Sequence, residues 1–337
     1  MLRLPKFNLV SPKSIDEVVQ ALADSKGRGR ILAGGTDLLP NLKHEFIEAD
    51  IVVSLGEVDE LRGIEVSADG GLSIGPLTSL ADIASNEHVL RIAPALAQAA
   101  GTVAGPQHRI MGTIGGNVML DTRCQWINQS HFWRSSLGFC LKKDGTACHV
   151  VEGGSRCVAA ASNDTAAALA SLGASLDFQN APTEHGDGKR TLEFEALFKA
   201  DGAWNKKVTP TELLTRIHIP ATPRGHRGGY VKLRLRGSID FPLLGVASRL
   251  DLDEAGKIEH ADLVVIALQA RPTRVRKAAK LLIGTTPGQA NYDTAVAQVM
   301  DAAYKQCTPL PNIPGDHEWR QEMVPVYVKR ALAAALG

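Results

Sequence analysis

Apolar residues recur along the first part of the chain at spacings that predict alternating helices and strands. One helical face is formed by four apolar positions, Ile15, Val18, Val19 and Leu22. Ser14 and Glu17 form a capping box at the start of this helix, because each side chain can accept from a backbone N–H that the helix leaves unpaired. Short apolar runs at 30–33 and 51–55 predict strands, and a glycine turn follows the first run.

This pattern is interrupted twice. Between about residues 121 and 160 the periodicity disappears, and the segment is predicted to be a long inserted loop. A loop of this length needs a function or a bound group that orders it. Prolines and glycines at 220–229 mark a domain boundary, beyond which strands precede helices. The order of elements predicts an α+β fold whose smaller C-terminal module is a sheet with helices on one face.

The composition indicates a folded protein that recognises its partners locally. The chain has 337 residues, of which 44% are hydrophobic, and 37 Lys and Arg balance 36 Asp and Glu. A net charge of +1 does not supply the field that general binding of nucleic acid or anionic membranes requires. There is neither a run of about 18 apolar residues nor a signal-peptide core near the start. We therefore expect a cytoplasmic protein that binds neither nucleic acid nor membrane.

Two glycine turns are candidates for binding an anion. They are Ala33-Gly34-Gly35-Thr36-Asp37 and Thr113-Ile114-Gly115-Gly116-Asn117. Glycine leaves room for backbone N–H groups to converge on a phosphate, and the neighbouring Thr and Asn side chains add donors. The common dinucleotide, P-loop and zincin motifs are absent. Gly-Gly turns also occur in purely structural positions, so the residues alone leave a pyrophosphate site and a structural role equally open.

Cysteines are concentrated in the inserted loop. Cys307 stands apart, whereas four others lie close together in the sequence, Cys124, Cys140, Cys148 and Cys157. Their spacing is neither that of compact zinc fingers nor that of bacterial ferredoxins. A folded loop can still gather four thiolates, so a zinc site, an iron–sulfur cluster and unligated thiols all remain open. We expect His131 and His149 to be surface or neighbouring groups, and Trp126 and Trp133 to form a small apolar core.

The motifs occur in the order found in a known family. With its two glycine turns, the Asn163-Asp164 element and the strand from Lys232 to Pro242, the chain resembles the FAD-binding medium subunits of the molybdenum hydroxylases, the xanthine dehydrogenase and carbon monoxide dehydrogenase family. The cysteine loop departs from most of that family. It is similar to the branch represented by the β subunit of 4-hydroxybenzoyl-CoA reductase, as are residues 103–109 and 121–124. In that branch the insertion carries a [4Fe-4S] cluster.

The resemblance implies a two-part FAD-binding domain, residues 1–220, and a smaller C-terminal flavoprotein domain, residues 224–337. It assigns the FAD pyrophosphate and adjacent groups to the two turns, Leu32, Ala33, Gly34, Gly35, Thr36, Asp37 and Leu38 with Thr113, Ile114, Gly115, Gly116 and Asn117. Asp164 and Lys232 would contact the flavin nucleotide further along. The four clustered cysteines would hold the [4Fe-4S] cluster, and Cys307 would be an inert thiol.

The resemblance also implies an electron-transfer subunit without catalytic residues of its own. Reduced ferredoxin would supply electrons through [4Fe-4S] and FAD to a molybdenum cofactor on a large subunit, with [2Fe-2S] clusters on a small subunit. The expected reaction is the reductive dehydroxylation of 4-hydroxybenzoyl-CoA to benzoyl-CoA. Two alternatives are an FAD subunit of a related hydroxylase acting on another aromatic substrate, and a non-redox assembly protein with a structural zinc loop. The cluster and FAD sites are expected to be independent, because the turns belong to the main fold.

Overall fold

Three sheets organise residues 2–184 and 186–337, the part of the chain that the computed structural model describes. The N-terminal part contains β1 (Asn8–Val10), α1 (Ile15–Asp24), β2 (Gly29–Leu32), α2 (Leu38–Lys43) and β3 (Ile51–Ser54). It continues with β4 (Ile64–Val66), β5 (Leu72–Ile74), α3 (Leu80–Ser85), α4 (Glu87–Ile92), α5 (Pro94–Thr102), α6 (Pro106–Met111) and α7 (Ile114–Val118). Short 3-10 helices lie at Asp59–Leu61 and Phe194–Leu197.

The second half contains most of the long elements. After α8 (His131–Ser136) follow α9 (Asp164–Leu172), β6 (Ser175–Gln179), β7 (Lys189–Glu193) and β8 (Leu213–Ile219). The C-terminal part consists of β9 (His226–Leu233), β10 (Leu244–Leu252), β11 (Ile258–Ile266), β12 (Thr273–Arg274), α10 (Ala278–Leu282), α11 (Ala290–Gln306) and α12 (His317–Leu336). The predicted α+β class is confirmed. None of the helices in the described ranges is both long and apolar enough to span a bilayer.

The first sheet is parallel and has the strand order β1-β3-β2. The predicted strands at 30–33 and 51–55 correspond to β2 and β3, whereas β1 was not predicted. Helix α1 lies against this sheet through its buried apolar face, Val18, Val19 and Leu22. Because β2 ends at the first glycine turn, this sheet positions that turn.

The predicted capping box at α1 forms only in part. The Ser14 hydroxyl accepts from the backbone N–H of Glu17 at 3.2 Å, as predicted. The Glu17 carboxylate instead accepts from the backbone N–H of Lys13 at 2.7 Å. The Glu17 carboxylate therefore binds the residue before the N-cap. Together with the Ser14 hydroxyl it still fixes the start of α1 by hydrogen bonds.

The second sheet is antiparallel and has the order β4-β5-β8-β6-β7. Its apolar side shares one core with α3, α5 and α9. All nine residues of α9 are buried, and its many alanines allow the surrounding elements to approach closely. The helix ends at Gly173, whose φ of 68° is the left-handed conformation that glycine adopts at little cost.

The third sheet is antiparallel, has the order β12-β11-β10-β9 and is covered on both faces. Neighbouring residues of a strand point to opposite faces, so Val246 and Val265 pack against α10, α11 and α12, whereas Ala247 and Val264 pack in the core that contains α5 and α9. The prediction of helices on one face is correct only for the helices of the C-terminal part. Helices from much earlier in the chain cover the other face.

The predicted insertion leaves the main fold and returns to it at one point. Arg123 and Ala160 exchange two backbone hydrogen bonds, of 2.8 and 2.7 Å. Between them the chain forms α8, a helix of six residues that the sequence did not predict. The Ser130 hydroxyl caps it by accepting from the N–H of Trp133. Six residues make fewer than two turns, which is too short for apolar periodicity to show.

Replacing Gly229 by alanine tests how closely α12 packs on β9. A Cβ at Gly229 would lie 2.6 Å from both the carbonyl oxygen of Ala331 and the amide nitrogen of Ala335. Overpacking of this kind typically costs about 1–3 kcal/mol, so urea unfolding of Gly229→Ala should show that loss. Gly237→Ala is the control, because a Cβ there meets nothing within 4 Å. Equal stabilities of the two variants would contradict the close packing.

Candidate functional site

The first glycine turn lies against the residues that immediately precede the second. A Cβ on Gly34 would overlap the backbone carbonyl oxygen of Met111, and one on Gly112 would lie 3.4 Å from the Thr36 hydroxyl oxygen. Within residues 2–184 and 186–337, the backbone N–H groups of Gly35 and Thr36 donate to no protein acceptor. These two donors of the first turn are therefore available to bind an anion.

The second turn is held to the main fold by its own backbone. The N–H of Gly115 donates to the carbonyl of Pro76, at 2.9 Å. The Thr113 hydroxyl caps α7 by accepting from the N–H of Gly116. The Asn117 side chain faces inward, where its oxygen accepts from the backbone N–H and the hydroxyl of Thr165, at 3.2 and 2.6 Å. Asn117 thus joins this turn to the start of α9 rather than extending into solvent.

An arginine from the insertion reaches the first turn. Arg123 donates through its two terminal nitrogens to the carboxylate of Asp37 and, at 3.1 Å, to the side-chain oxygen of Asn41. Asn41 in turn donates to Asp37 at 2.8 Å. Burial raises the pKa of Asp37 above its ordinary value, and Arg123 and Asn41 oppose that shift. Nothing in the sequence indicated that Arg123 would contact Asp37. This contact joins the insertion to the first glycine turn, although the cluster and FAD sites were expected to be independent.

Asp164 and Lys232 are brought together, and they face each other. Lys232 donates to Asp164 at 3.1 Å, and the exposed fractions of the two side chains are 1% and 3%. The Tyr230 hydroxyl donates to the other carboxylate oxygen at 2.7 Å. Tyr230 and Lys232 point to the same face of β9 because side chains repeat every second residue. Burial raises the pKa of Asp164, while Lys232 and Tyr230 lower it.

Lys232 is further satisfied by two backbone carbonyls. Its ammonium donates to Thr102 at 3.1 Å and to Asp240 at 3.0 Å. The ion pair therefore fixes the end of α5 and the loop after β9 relative to the start of α9. The sequence identified Asp164 and Lys232 as candidates for flavin contact, but it did not indicate that they pair with each other or with Tyr230.

One partly open cavity is lined by the four clustered cysteines, Cys124, Cys140, Cys148 and Cys157. Backbone N–H groups already point at two of the sulfurs, since Trp126 donates to Cys124 and Ala159 donates to Cys157 at 3.5 Å. Burial raises the pKa of Cys124 to about 11, with a smaller contribution from the other three thiols. Cys307 is buried separately in the core of the C-terminal helices.

The cysteine cavity offers more than thiols. Trp126 lines it, and the indole N–H of this residue is buried with no hydrogen-bond partner in the described structure. Lys142 also lines it and is held by the Asp121 carboxylate at 3.0 Å and the Gly202 carbonyl at 2.8 Å. The aromatic ring of Trp126 lies 5.7 Å from that of Trp133 and 5.0 Å from that of His149. Of the two tryptophans expected to form a small apolar core, Trp126 packs against the buried cluster of Cys124, Ile127 and Ala159, whereas Trp133 is 37% exposed.

The cysteines do not form a site for a single metal ion. Across the described ranges, no three His, Cys, Asp or Glu side chains are grouped so that they could hold one. A tetrahedral zinc ion requires sulfurs about 2.3 Å from one centre. In a cubane cluster each thiolate binds a different iron, so the four sulfurs surround a larger object.

The chain matches known proteins over nearly its whole length. Residues 5–222 match the FAD binding domain in molybdopterin dehydrogenase, and residues 230–335 match the CO dehydrogenase flavoprotein C-terminal domain. It is 26% identical to the 6-hydroxypseudooxynicotine dehydrogenase complex subunit alpha of Paenarthrobacter nicotinovorans, covering 99% of this chain and 96% of that one. It is 27% identical to the carbon monoxide dehydrogenase medium chain of Hydrogenophaga pseudoflava, covering 98% and 97%.

The solved structures give the same result for the fold. Carbon monoxide dehydrogenase from Hydrogenophaga pseudoflava, in a form that lacks the Mo-pyranopterin moiety of its cofactor, superposes with a TM-score of 0.79. The sequence identity in this comparison is 25%, and 99% of this chain and 98% of that chain are covered. The two-part architecture with a C-terminal domain is thereby confirmed.

Replacing Gly34 by alanine tests whether the contact between the turns is needed for FAD. The new methyl group would push the turn away from Met111, because a backbone carbonyl cannot move aside as a flexible side chain can. We expect the dissociation constant for FAD, measured by flavin fluorescence, to rise about tenfold or more, which corresponds to about 1.4 kcal/mol. Gly56→Ala is the control, since the nearest atom to its Cβ, the Ser54 hydroxyl oxygen, lies at 3.6 Å. An unchanged constant in Gly34→Ala would disprove the requirement.

Removing one partner of the buried ion pair should be strongly destabilising. Lys232→Met leaves the Asp164 carboxylate buried without its cation, a change that typically costs about 3–5 kcal/mol. The double variant Asp164→Asn with Lys232→Met should recover part of this loss, because no charge then stays buried alone. Lys305→Met is the matched control, since Lys305 and Asp301 form an exposed pair worth below about 1 kcal/mol. Equal losses of unfolding free energy in both lysine variants would contradict this account.

Proposed function

Because the chain belongs to the family of FAD-binding medium subunits of the molybdenum hydroxylases, we propose that it transfers electrons between a [4Fe-4S] cluster of its own, FAD and a molybdenum site on a partner subunit. The family places it as the FAD subunit of an oxidoreductase complex. The observation that supports the additional cluster is the convergence of four cysteines, distant in the sequence, on one cavity.

FAD would be held by the joined glycine turns. We assign its pyrophosphate and adjacent groups to residues 32–38 and 113–117, where the N–H groups of Gly35 and Thr36 have no protein acceptor in the described ranges. Asp164 and Lys232 would lie further along the nucleotide, supporting its surroundings as a neutralised pair. Bound FAD exchanges electrons singly or in pairs, which allows a one-electron carrier to be joined to a two-electron reaction.

The cysteine cavity fits a [4Fe-4S] cluster in its donor set. Cys124, Cys140, Cys148 and Cys157 would each ligate one iron. Thiolate sulfur accepts hydrogen bonds, and the backbone N–H groups of Trp126 and Ala159 already point at two of these sulfurs. The buried indole N–H of Trp126 would find its missing acceptor on a cluster sulfur. Lys142 would offset part of the negative charge that four thiolates bring.

The partner subunits are proposed from the family, and the electron donor from the resemblance in the cysteine loop. We propose a large subunit with a molybdenum cofactor, a small subunit with [2Fe-2S] clusters and ferredoxin as electron donor, in the cytoplasm. The relatives' names support a multi-chain assembly, since one is a subunit of a complex and the other a medium chain. We also propose two domains, residues 1–220 and 224–337, which divide the chain close to the interval between the two matched regions, 5–222 and 230–335.

The substrate proposed for the complex is 4-hydroxybenzoyl-CoA, reductively dehydroxylated to benzoyl-CoA. The support is the cysteine-bearing insertion together with the sequence at 103–109 and 121–124. The relatives' names cover 6-hydroxypseudooxynicotine and carbon monoxide, so this subunit type serves several substrates. Another aromatic substrate is therefore the second candidate. The non-redox zinc protein is disfavoured, because the chain belongs to an FAD family.

Metal and flavin analysis of the full chain purified without oxygen tests the cofactors. We expect one FAD and about four irons per chain, and an EPR signal on reduction. Cys140→Ser should lose most of the iron, whereas Cys307→Ser should keep it, because Cys307 lies in a separate apolar core. Stoichiometric zinc in place of iron would contradict the cluster.

An assay of the assembled complex tests the substrate. With reduced ferredoxin or a reduced viologen as donor, 4-hydroxybenzoyl-CoA should be converted to benzoyl-CoA, which chromatography detects. Oxidation of another aromatic compound without any benzoyl-CoA formation would favour the second candidate. Cofactor content would be unchanged in that case, so the substrate and the cofactors are tested separately.

A further inference from the structure

We propose that Arg123 is a positioning residue that couples the two cofactor sites, so that the cluster and FAD each strengthen binding of the other. The proposal rests on the cluster proposed above and goes further, because it makes the insertion part of the FAD site. The two sites would otherwise be independent, as the sequence led us to expect.

Arg123 belongs to both sites. Its backbone pairs with Ala160 at the base of the insertion, and the next residue is the cluster ligand Cys124. Its guanidinium reaches the first glycine turn, where it binds Asp37 and Asn41. Any shift of the backbone at Cys124 therefore moves the group that holds Asp37.

The insertion also holds the far end of α2, the helix that follows the turn. Arg134 is 2% exposed and donates to the carbonyls of His44 and Glu45, at 3.0 and 3.2 Å. Its guanidinium lies 5.1 Å from the ring centroid of Phe46. Two buried arginines of one insertion thus secure both ends of α2. Order in the insertion and order in the turn that precedes α2 are mechanically linked.

Electrostatics explains why the link favours FAD. Asp37 lies in the turn proposed to bind a pyrophosphate, and a bare carboxylate there would repel that anion. Arg123 is 7% exposed, so its charge is weakly screened and offsets that of Asp37. Its guanidinium also lies 5.3 Å from the ring centroid of Phe241, which limits its freedom to turn away. A disordered insertion would withdraw the guanidinium and restore the repulsion.

Coupling between two binding sites is reciprocal. If the cluster orders the backbone at Cys124 and so positions Arg123, the cluster increases the affinity for FAD. Bound FAD must then increase retention of the cluster by the same factor. Couplings of this kind commonly amount to 5–150-fold in affinity.

The test compares FAD binding with and without the cluster. The full chain is freed of FAD, and half of the sample is treated with an oxidant and chelator to remove iron. Titration with FAD should give a dissociation constant about tenfold higher for the iron-free sample. In Arg123→Met the constant should be raised in both samples, and their ratio should fall to about one. Iron content and EPR are measured on the same samples.

Two further variants identify the cause. Arg123→Lys keeps the charge but cannot bind Asp37 and Asn41 with a planar fork, so its ratio should lie between those of the wild type and Arg123→Met. If Arg123→Met does not fold, the ratio of dissociation constants in Arg123→Lys tests the proposal instead. Arg249→Met removes a comparable ion pair, to Asp251 in the third sheet, and should leave the ratio unchanged.

The outcomes separate the two proposals. A wild-type chain with iron but equal FAD affinities in both samples overturns the coupling and leaves the cluster assignment standing. A wild-type ratio that persists in Arg123→Met overturns the role of this arginine. A wild-type chain that cannot be loaded with iron overturns the cluster and the coupling together, and the iron measurement identifies that case.

Discussion

The close approach of two backbones at Gly34 determines the geometry of the candidate FAD site. The first turn follows a parallel strand, and the second caps and begins the short helix α7. The first turn reaches the residues just before the second only because no Cβ stands between Gly34 and the carbonyl of Met111. The N–H groups of Gly35 and Thr36 have no protein acceptor in the described ranges, whereas those of residues 114–117 are paired within the protein. Joined, the two turns form one surface whose shape depends on the absence of a single methyl group.

The buried pair of Asp164 and Lys232 connects the two regions of the fold. Asp164 starts α9, which belongs to the core of the second sheet, and Lys232 lies on β9 of the third sheet. The cost of burying these charges is offset by their mutual pairing, by the Tyr230 hydroxyl and by the carbonyls of Thr102 and Asp240. The third sheet is packed between helices of both regions. A change in the orientation of one region relative to the other would therefore disturb this ion pair.

Much of this structure can be predicted from local sequence. Helix α1 shows its apolar face and its cap, and the glycine turns and the cysteine cluster are visible as motifs. Contacts between distant segments cannot be read in the same way. Arg123 gives no signal that it pairs with Asp37, and the alanines of α9 do not reveal that they cover β10 and β11. Helix α8 and strand β1 are too short to leave a periodic pattern.

The insertion is closed at its base, where Arg123 pairs with Ala160. The chain enters and leaves the insertion through these two hydrogen bonds, while Arg134 and Lys142 make further contacts from the insertion to the main fold. Lengthening a loop whose two ends are paired in this way costs little conformational entropy, because the entropic cost of loop closure grows only with the logarithm of loop length. Residues can therefore be added to the insertion at little cost in closure entropy, provided that the pairing of Arg123 with Ala160 and the contacts of Arg134 with the end of α2 are kept.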